Sequence, residues 1–401
     1  MATNSKFDKL ATVLDQTVMP SNTKKVPFVY RDYSQDIIMS KEKIASNIAQ
    51  ANASSSAPLF GTTVVYSINP GDFMSKPYLK LTITGDGTAV STNMLGFNCI
   101  SKVEVWHGKK LMEYSGETLA QILMAYARDD EARAALQTYA GGAGGTLTAT
   151  TWEYYVPLLF AEDPHSILGG TPTYYPTGLI KADLQFKVTY KAQASILSTV
   201  GTVTGFTDAQ LRYTSTWMNE TELQLDKKNY ELFVYDYRQI NSGAVSCSSG
   251  VAKEFDITSF NENAEIMDIL FKCISAANIT ALQVFQNTEP TTWRFQVNSK
   301  DFYYPDTKTE GKFNTYMLKG YDNYLYSTYV QQKVDCNLHA KVQNAGDAYD
   351  TFMTNGVNFK YKTLKLFLTM GSSTSFTVNF VAVLKKKLRF VNNSIEEIYI
   401  E

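Results

Sequence analysis

The fold predicted for this chain depends most on residues 152–190, WEYYVPLLFAEDPHSILGGTPTYYPTGLIKADLQFKVTY. They open with an aromatic-rich segment that contains Pro157 and continue through a loop of Gly, Pro and Tyr. They end in a segment whose apolar and polar residues alternate from Leu184 to Tyr190. Such alternation indicates a β-strand with one buried face. The single histidine, His165, and the few carboxylates show no spacing typical of a catalytic site.

The composition of the chain is that of a globular protein rich in β-structure. Its 401 residues suit two domains of roughly 150–200 residues each. Aromatic residues make up 13% of the chain, with 26 Tyr and 22 Phe, and this enrichment favours strands. A formal net charge of −2 gives no general attraction to nucleic acid, so we expect no sequence-specific nucleic-acid partner.

Strand patterns fill the first half of the chain and begin again after Asp226. In the first half they lie at 59–68, 76–84, 99–116, 152–190 and 209–225. In the second half they lie at 230–240, 253–260, 265–274, 279–287, 292–304, 363–370 and 375–390. Many short strands separated by turns predict an all-β sandwich or jelly-roll architecture. The predicted units are an N-terminal arm over 1–57, a first β-domain over 58–226 and a second over 227–401.

Helical spacing is confined to a few segments. Apolar residues at helical intervals over 7–18 predict a short amphipathic helix, which Pro20 would end. Ile37, Ile38, Lys41, Ile44, Ala45 and Ile48 predict one or two further helical turns. Two interpretations of this arm remain open: it packs on its own domain, or it reaches a neighbouring subunit or a membrane surface. Residues 117–136 predict one longer helix, with Glu117 near its start.

No residue pattern in the chain predicts a catalytic, cofactor or metal site. The histidines at 107, 165 and 339 are scattered, and the motifs of zinc proteases, deaminases, serine hydrolases and nucleotide-binding loops are absent from the sequence. Cys336 and His339 are too isolated to favour zinc over a structural role. The four cysteines form no CxxC pair and are expected to be mostly buried thiols. The adjacent acids Asp129–Asp130 and Glu396–Glu397 are expected to be solvated.

The densest basic run is LKKKLRF at 384–390. One interpretation is a solvated strand edge, where lysines prevent edge-to-edge pairing. The other is that Lys385–Arg389 contacts anionic lipid or packaged nucleic acid. No secretory signal is evident at the N-terminus, and no apolar run approaches the ~18 residues of a membrane span.

Two segments together carry a resemblance to a known family. Residues 98–124, NCISKVEVWHGKKLMEYSGETLAQILM, read as a strand pair with a polar turn followed by a helix that begins at a Gly. In the stretch from Tyr154 to Tyr190, a strand with an aromatic-x-x-Pro-Leu pattern leads through a Pro-containing loop to an alternating strand. Tyr154 to Leu158 fit the first strand, and Leu184, Phe186 and Val188 fit the buried face of the second. These features resemble the first jelly roll of the double jelly-roll major capsid proteins of tectiviruses, adenoviruses and nucleocytoplasmic large DNA viruses.

The resemblance implies two tandem eight-stranded jelly rolls with an N-terminal helical arm and short helices in loops. It also implies a homotrimer with a pseudo-hexagonal outline that tiles an icosahedral virion shell around double-stranded DNA. The implied partners are neighbouring trimers, minor capsid or penton proteins, and an internal membrane met by the N-terminal arm and Lys385–Arg389. Two alternatives remain open: another β-sandwich virion protein, such as a penton or spike, and a carbohydrate-binding or carbohydrate-cleaving β-sandwich protein.

Overall fold

The computed structural model describes most of the β-rich regions of the chain. The described residues are 37–50, 59–68, 73–127, 130–142, 144–148, 150–161, 175–197, 205–218, 230–261, 264–281, 284–285, 288, 290–303, 332–335, 357–391 and 393–399. The predicted helix over 7–18 and the pair Cys336 and His339 lie outside them.

The first half of the chain folds into two antiparallel sheets and a short two-stranded ribbon. Its strands are β1 Ile37–Ile44, β2 Ser46–Gln50, β3 Thr63–Ile68, β4 Phe73–Thr84, β5 Val90–Ser91, β6 Ile100–His107, β7 Lys109–Tyr114, β8 Gly145–Thr146, β9 Thr151–Pro157, β10 Leu184–Tyr190 and β11 Gly205–Met218. One sheet has the order β1-β11-β4-β9, and the other has the order β2-β3-β10-β6-β7. Strands β5 and β8 form the ribbon.

The second half also folds into two antiparallel sheets. Its strands are β12 Tyr230–Cys247, β13 Ala252–Asp256, β14 Glu265–Ser275, β15 Thr292–Val297, β16 Lys300–Tyr303, β17 Gln332–Asp335, β18 Val357–Asn358, β19 Leu364–Thr369, β20 Thr374–Val391 and β21 Ser394–Tyr399. One sheet has the order β12-β20-β14-β17, with β18 paired to β14 and β21 paired to β20. The other has the order β13-β19-β15-β16.

Both halves have the same topology. If the short strands β2, β5, β8, β18 and β21 are left aside, each half has eight strands in sheets of order 1-8-3-6 and 2-7-4-5. Two packed four-stranded sheets connected in this way form a jelly roll. The prediction of two tandem eight-stranded jelly rolls is therefore confirmed, and the second half excludes a single jelly roll joined to an unrelated domain.

The alternating segments form strands because each has one apolar row. In β4, the side chains of Leu79, Leu81 and Ile83 are buried. In β10, every second residue from Leu184 to Tyr190 is buried. Burying such a row on one face is what makes the extended conformation stable, since each fully buried large apolar side chain contributes roughly 1.5–3 kcal/mol. The strand predictions at 76–84 and 184–190 are confirmed.

Helices are few among the described residues: α1 Leu95–Asn98, α2 Gly116–Tyr126, α3 Asp130–Tyr139 and α4 Ala276–Thr280. The single helix predicted over 117–136 is two helices, because α2 ends at Tyr126 and the backbone at Ala127 is extended. The strand predicted over 279–287 is wrong at its start. There α4 forms, and the hydroxyl of Ser275 caps it by accepting a hydrogen bond from the backbone N–H of Asn278.

The helical turns predicted over 37–48 are wrong. Strand β1 pairs with β11, and β2 pairs with β3, so this segment contributes to both sheets of the first jelly roll. Its apolar spacing is compatible with a helix. Pairing with two distant strands overrides that local preference, as tertiary context often does.

The sheet β12-β20-β14 is buried on both faces. Alternate residues of β20, Phe376, Val378 and Phe380, belong to the core between the two sheets of the second jelly roll. Val381 and Val383 point the other way and belong to the core that contains the first jelly roll. The two jelly rolls are therefore packed together through this sheet.

Candidate functional site: the seam between the two jelly rolls

The contacts between the two jelly rolls form a continuous polar and ionic seam. We define the seam as α2, β6 and β7 of the first jelly roll together with the residues of β12, β14, β20 and β21 that contact them. It joins the two barrels, and it contains the most deeply buried charges of the described part of the chain.

Helix α2 is the main docking element of the seam. It begins after Ser115, whose hydroxyl accepts a hydrogen bond from the backbone N–H of Thr118. Leu119, Ile122 and Leu123 are buried in the core of the first jelly roll. Gly116 must stay small, because a Cβ there would lie 2.1 Å from the carbonyl oxygen of Phe97. This close approach holds the start of the helix against α1 and β6.

The polar side of α2 binds the second jelly roll through amide groups. The amide nitrogen of Asn379 donates to Gln121 Oε1 at 2.9 Å, and both residues are buried. Gln239 Nε2 donates to Asn379 Oδ1 at 2.8 Å. Gln239 Oε1 accepts from the hydroxyls of Thr118 at 2.6 Å and Ser115 at 2.9 Å. The network links α2 to β12 and β20 with defined partners, and its buried Gln121–Asn379 part favours one unique arrangement, while Gln239 is exposed.

A charged cluster forms the next part of the seam, around Lys386 of β20. Its side chain is only 1% exposed. Its Nζ donates to Glu397 Oε2 at 2.8 Å and to the carbonyl oxygen of Leu111 in β7 at 2.5 Å. Asp236 Oδ2 lies 3.5 Å from the same amine. One ammonium group therefore joins β7 of the first jelly roll to β12, β20 and β21 of the second.

Two further cations complete the cluster. Lys109 Nζ lies 3.0 Å from Glu397 Oε1, and Arg238 Nη1 lies 3.0 Å from Asp236 Oδ2. Burial alone would raise the pKa of Glu397, but the hydrogen bonds and charges of Lys386 and Lys109 hold that pKa below its usual value. The carboxylate is therefore ionised at neutral pH, and the cluster has three positive and two negative groups.

A second set of charged contacts connects α2 to β14. The Nζ of Lys272, whose side chain is buried, lies 3.2 Å from Glu117 Oε1 at the start of α2 and 4.9 Å from the ring centre of Phe285. At the other end of the helix, the Tyr126 hydroxyl donates to Asp268 Oδ2. Both ends of α2 therefore contact the same strand, which prevents the helix from pivoting on it.

An aromatic contact that includes a histidine closes the seam near β6. His107 Nδ1 is 2.8 Å from the Tyr175 hydroxyl, and the Tyr175 ring lies 5.7 Å from the Phe390 ring at the end of β20. Burial lowers the pKa of His107 to about 4, against smaller opposing effects of the Ala182 backbone and the Asp183 charge. The imidazole is neutral at physiological pH and serves as a buried polar core residue.

A groove of about 700 Å³ opens beside the cluster. Its walls come from Lys110–Ser115 in and after β7 and from Asp236–Gln239 in β12, with Glu397 at one side. The acids and bases around it are already paired with one another: Lys110 with Glu113, and Arg238 with Asp236. Within the described part of the chain, the lining offers no nucleophile next to a base and no set of convergent metal ligands.

The interpretation of the basic run Lys385–Arg389 as a solvated strand edge is wrong, and only part of the run is accessible for the contact with lipid or nucleic acid of the other interpretation. Lys385 and Lys386 are buried, and β20 is paired on both sides, so the run is not a solvated edge. Only Lys387 and Arg389 are half-exposed. The expectation for Glu396–Glu397 holds for Glu396 but is wrong for Glu397, which is bound within the seam.

The other sequence candidates give no site in the described part of the chain. His107 is buried in the seam, and His165 and His339 lie outside the described residues, as does Asp129. No group of three or more potential metal ligands occurs among the residues described. Cys99 and Cys273 are buried as predicted, Cys247 is partly exposed, and burial raises the pKa of Cys99 to about 12, which leaves it unreactive. No helix in the described ranges is long and apolar enough to cross a membrane.

No protein-family profile and no curated protein sequence matches the chain. Solved structures do match it. The capsid protein VP54 of PBCV-1, fitted into a reconstruction of the virophage Sputnik, superposes with a TM-score of 0.67 at 13% identity, covering 94% of this chain and 100% of that one. The Faustovirus major capsid protein superposes with a TM-score of 0.60 at 10% identity, covering 94% of each chain.

A third structure, the mavirus major capsid protein, superposes with a TM-score of 0.56 at 8% identity, covering 95% of this chain and 96% of that one. The double jelly-roll fold predicted from residues 98–124 and 154–190 is the fold of these capsid proteins. At these identities the likeness shows a shared fold over nearly the whole chain.

Proposed function

We propose that this chain is a major capsid protein that assembles as a homotrimer and tiles the facets of an icosahedral virion. The observation that carries the proposal is the pair of jelly rolls of identical topology, locked by the seam into one rigid arrangement. Three copies of such a chain supply six similar barrels. A closed three-fold ring of this kind has a pseudo-hexagonal outline, which packs side by side on a flat facet.

The proposal gives the seam a function. If the two barrels could rotate against each other, the outline of the trimer would vary and neighbouring trimers would not fit. The buried charges around Lys386 stabilise little compared with an apolar contact of equal volume, but they accept only one set of partners. We infer that they specify the orientation of the second jelly roll relative to the first.

The wider setting follows from the same proposal. The protein resides in the virion shell, beside neighbouring trimers and minor capsid or penton proteins, around an internal membrane and double-stranded DNA. It has no enzymatic activity.

The test of the proposal is the native mass of the purified protein, measured by light scattering. A subunit of 44.9 kDa predicts roughly 135 kDa for a closed three-fold ring. A trimer that persists on dilution and forms hexagonal outlines in electron micrographs would support the proposal. A folded chain that stays monomeric at every concentration and never forms particles would contradict it and favour the carbohydrate-binding alternative.

A further inference from the structure

Two loops meet at one end of the second jelly roll and form a small, well-supported tip. One is the turn Asn298–Ser299 between β15 and β16, and the other is the loop that precedes β19. Asn298 Oδ1 accepts from the backbone N–H of Thr363 at 2.9 Å, and the Asn298 N–H donates to the Thr363 carbonyl at 3.0 Å. Asn261 Nδ2 donates to the Lys362 carbonyl at 3.2 Å. The loops therefore present their outer side chains from a defined backbone.

The outer side chains of this tip are cationic. Lys300 and Lys362 are exposed, and Lys360 is half-exposed. None of the three amines forms an ion pair with any residue that the structure describes, whereas most of the lysines on the sheet faces do, such as Lys80 with Glu153 and Lys365 with Glu254. The tip therefore carries three positive charges that are not neutralised by an ion pair with any described residue.

Tyr361 lies between two of these lysines, and its aromatic ring is not used in the core of the protein. Its side chain is 86% exposed, and among the described residues its ring contacts only the Lys360 amine, 5.3 Å from the ring centre. Its backbone lies in the left-handed region with φ of 62°, which an L-residue other than Asn or Gly adopts at a cost of roughly 1 kcal/mol. A strained backbone at a residue whose side chain is 86% exposed points to function rather than to folding.

We propose that this tip, formed by Lys300, Lys360, Tyr361 and Lys362, docks on the surface of a lipid bilayer that contains anionic headgroups. Lysine amines attract such a surface, and an exposed tyrosine ring inserts at its interface with the hydroxyl in the headgroup layer. Among the described residues no second exposed aromatic ring lies on the tip, so these residues do not form the stacking platform that single-stranded nucleic acid requires. The tip thus takes the role that the sequence had suggested for Lys385–Arg389, in which Lys385 and Lys386 are buried.

The inference rests on the proposed capsid function only for the identity of the membrane, which would be one enclosed by the shell. The docking itself is a property of the tip. It can be measured on the purified protein, in whatever oligomeric state light scattering finds.

The test is co-sedimentation with sucrose-loaded vesicles, of phosphatidylcholine alone or mixed with phosphatidylglycerol. One variant combines Lys300→Gln, Lys360→Gln and Lys362→Gln, and a second is Tyr361→Asn, which suits the left-handed backbone. The matched control is Lys253→Gln, an exposed and unpaired lysine of β13 near the opposite end of β19. Thermal unfolding of each variant shows that the fold is retained, and Tyr361→Asn should not lower Tm.

We expect the wild type to bind the phosphatidylglycerol vesicles and to be released by salt. Each lysine near an anionic surface is worth about 1 kcal/mol, about fivefold in binding, so the triple variant should bind roughly 100-fold more weakly. Tyr361→Asn should weaken binding severalfold, and Lys253→Gln should leave it unchanged. Equal binding by all variants would refute the inference. So would tighter binding of the tip to duplex DNA than to vesicles, because the partner would then be nucleic acid. A trimer that does not bind vesicles would refute the inference that the tip docks on a bilayer, and it would leave the capsid proposal unaffected.

Discussion

Replacing Lys386 by Met tests whether the charged cluster locks the two jelly rolls together. The substitution keeps the volume of the side chain and removes its charge. It leaves Asp236, which is 2% exposed, and Glu397 without their shared cation, and the carbonyl of Leu111 without its donor. Removing one partner of a buried ion pair costs about 3–5 kcal/mol, because the remaining charge is left uncompensated.

The lower end of this range applies here. Glu397 retains Lys109 at 3.0 Å, and Asp236 retains Arg238 at 3.0 Å. We therefore expect Lys386→Met to destabilise the protein by about 3 kcal/mol. At about 2.1 cal/mol/K per residue, cooperative unfolding of 401 residues has an entropy of about 0.84 kcal/mol/K, so Tm should fall by about 4 °C.

The assay is thermal unfolding of the trimeric or monomeric protein by calorimetry, with Lys365→Met as the matched control. Lys365 pairs with Glu254 at 2.6 Å, but their side chains are 35% and 47% exposed, and such surface pairs are worth about 0–1 kcal/mol. Adding Asp236→Asn and Glu397→Gln to Lys386→Met should recover part of the lost stability, because no anion is then left buried. If Lys386→Met costs no more than Lys365→Met, the cluster is solvated and the reasoning about the seam is wrong.

Two further predictions concern other parts of the seam. The pKa of His107 in the folded protein is about 4, below the usual 6.5, so the unfolded chain binds a proton that the folded chain does not. The free energy of unfolding should therefore fall by about 3 kcal/mol as the pH drops from 6.5 to 4. A plot of that free energy against pH should lose this slope in His107→Gln, and an unchanged slope would contradict the burial of a neutral imidazole. Gly116→Ala should destabilise the protein by about 1–3 kcal/mol, because the new Cβ would meet the Phe97 carbonyl at 2.1 Å and α2 would have to move. Chemical denaturation measures the loss, and an unchanged free energy of unfolding would contradict the close approach of α2 to Phe97.

Local sequence patterns predicted the elements whose stability depends on their own periodicity. The apolar rows of β4 and β10 and the turn at Gly108 between β6 and β7 were readable because alternation and turn chemistry are properties of a few consecutive residues. The resemblance of residues 98–124 and 154–190 to double jelly-roll capsid proteins then predicted that these elements belong to a double jelly roll. The restart of strand patterns after Asp226 indicated the second β-unit.

The sequence predictions fail where the structure of a segment depends on residues far away in the chain. Residues 37–48 have helical spacing, yet they are strands because β11 and β3 offer open edges to pair with. The amides of Gln121 and Asn379 gave no signal, because a polar residue on a helix or strand is normally taken as exposed. These two residues bind each other, although they lie 258 residues apart in the chain.

The sequence by itself determined many of the strands, the hairpin turn at Gly108 and the presence of two β-rich halves. Only the tertiary structure decided which faces are covered. Lys385 and Lys386 lie in a run of charges that a local pattern assigns to the surface. They are buried because β20 packs against the first jelly roll on one face and against the core of the second jelly roll on the other. Tyr361, in turn, is an aromatic residue left in solvent. Burial depends on what packs against a residue, and that contact comes from segments far away in the chain, so periodicity describes a strand but not what covers it.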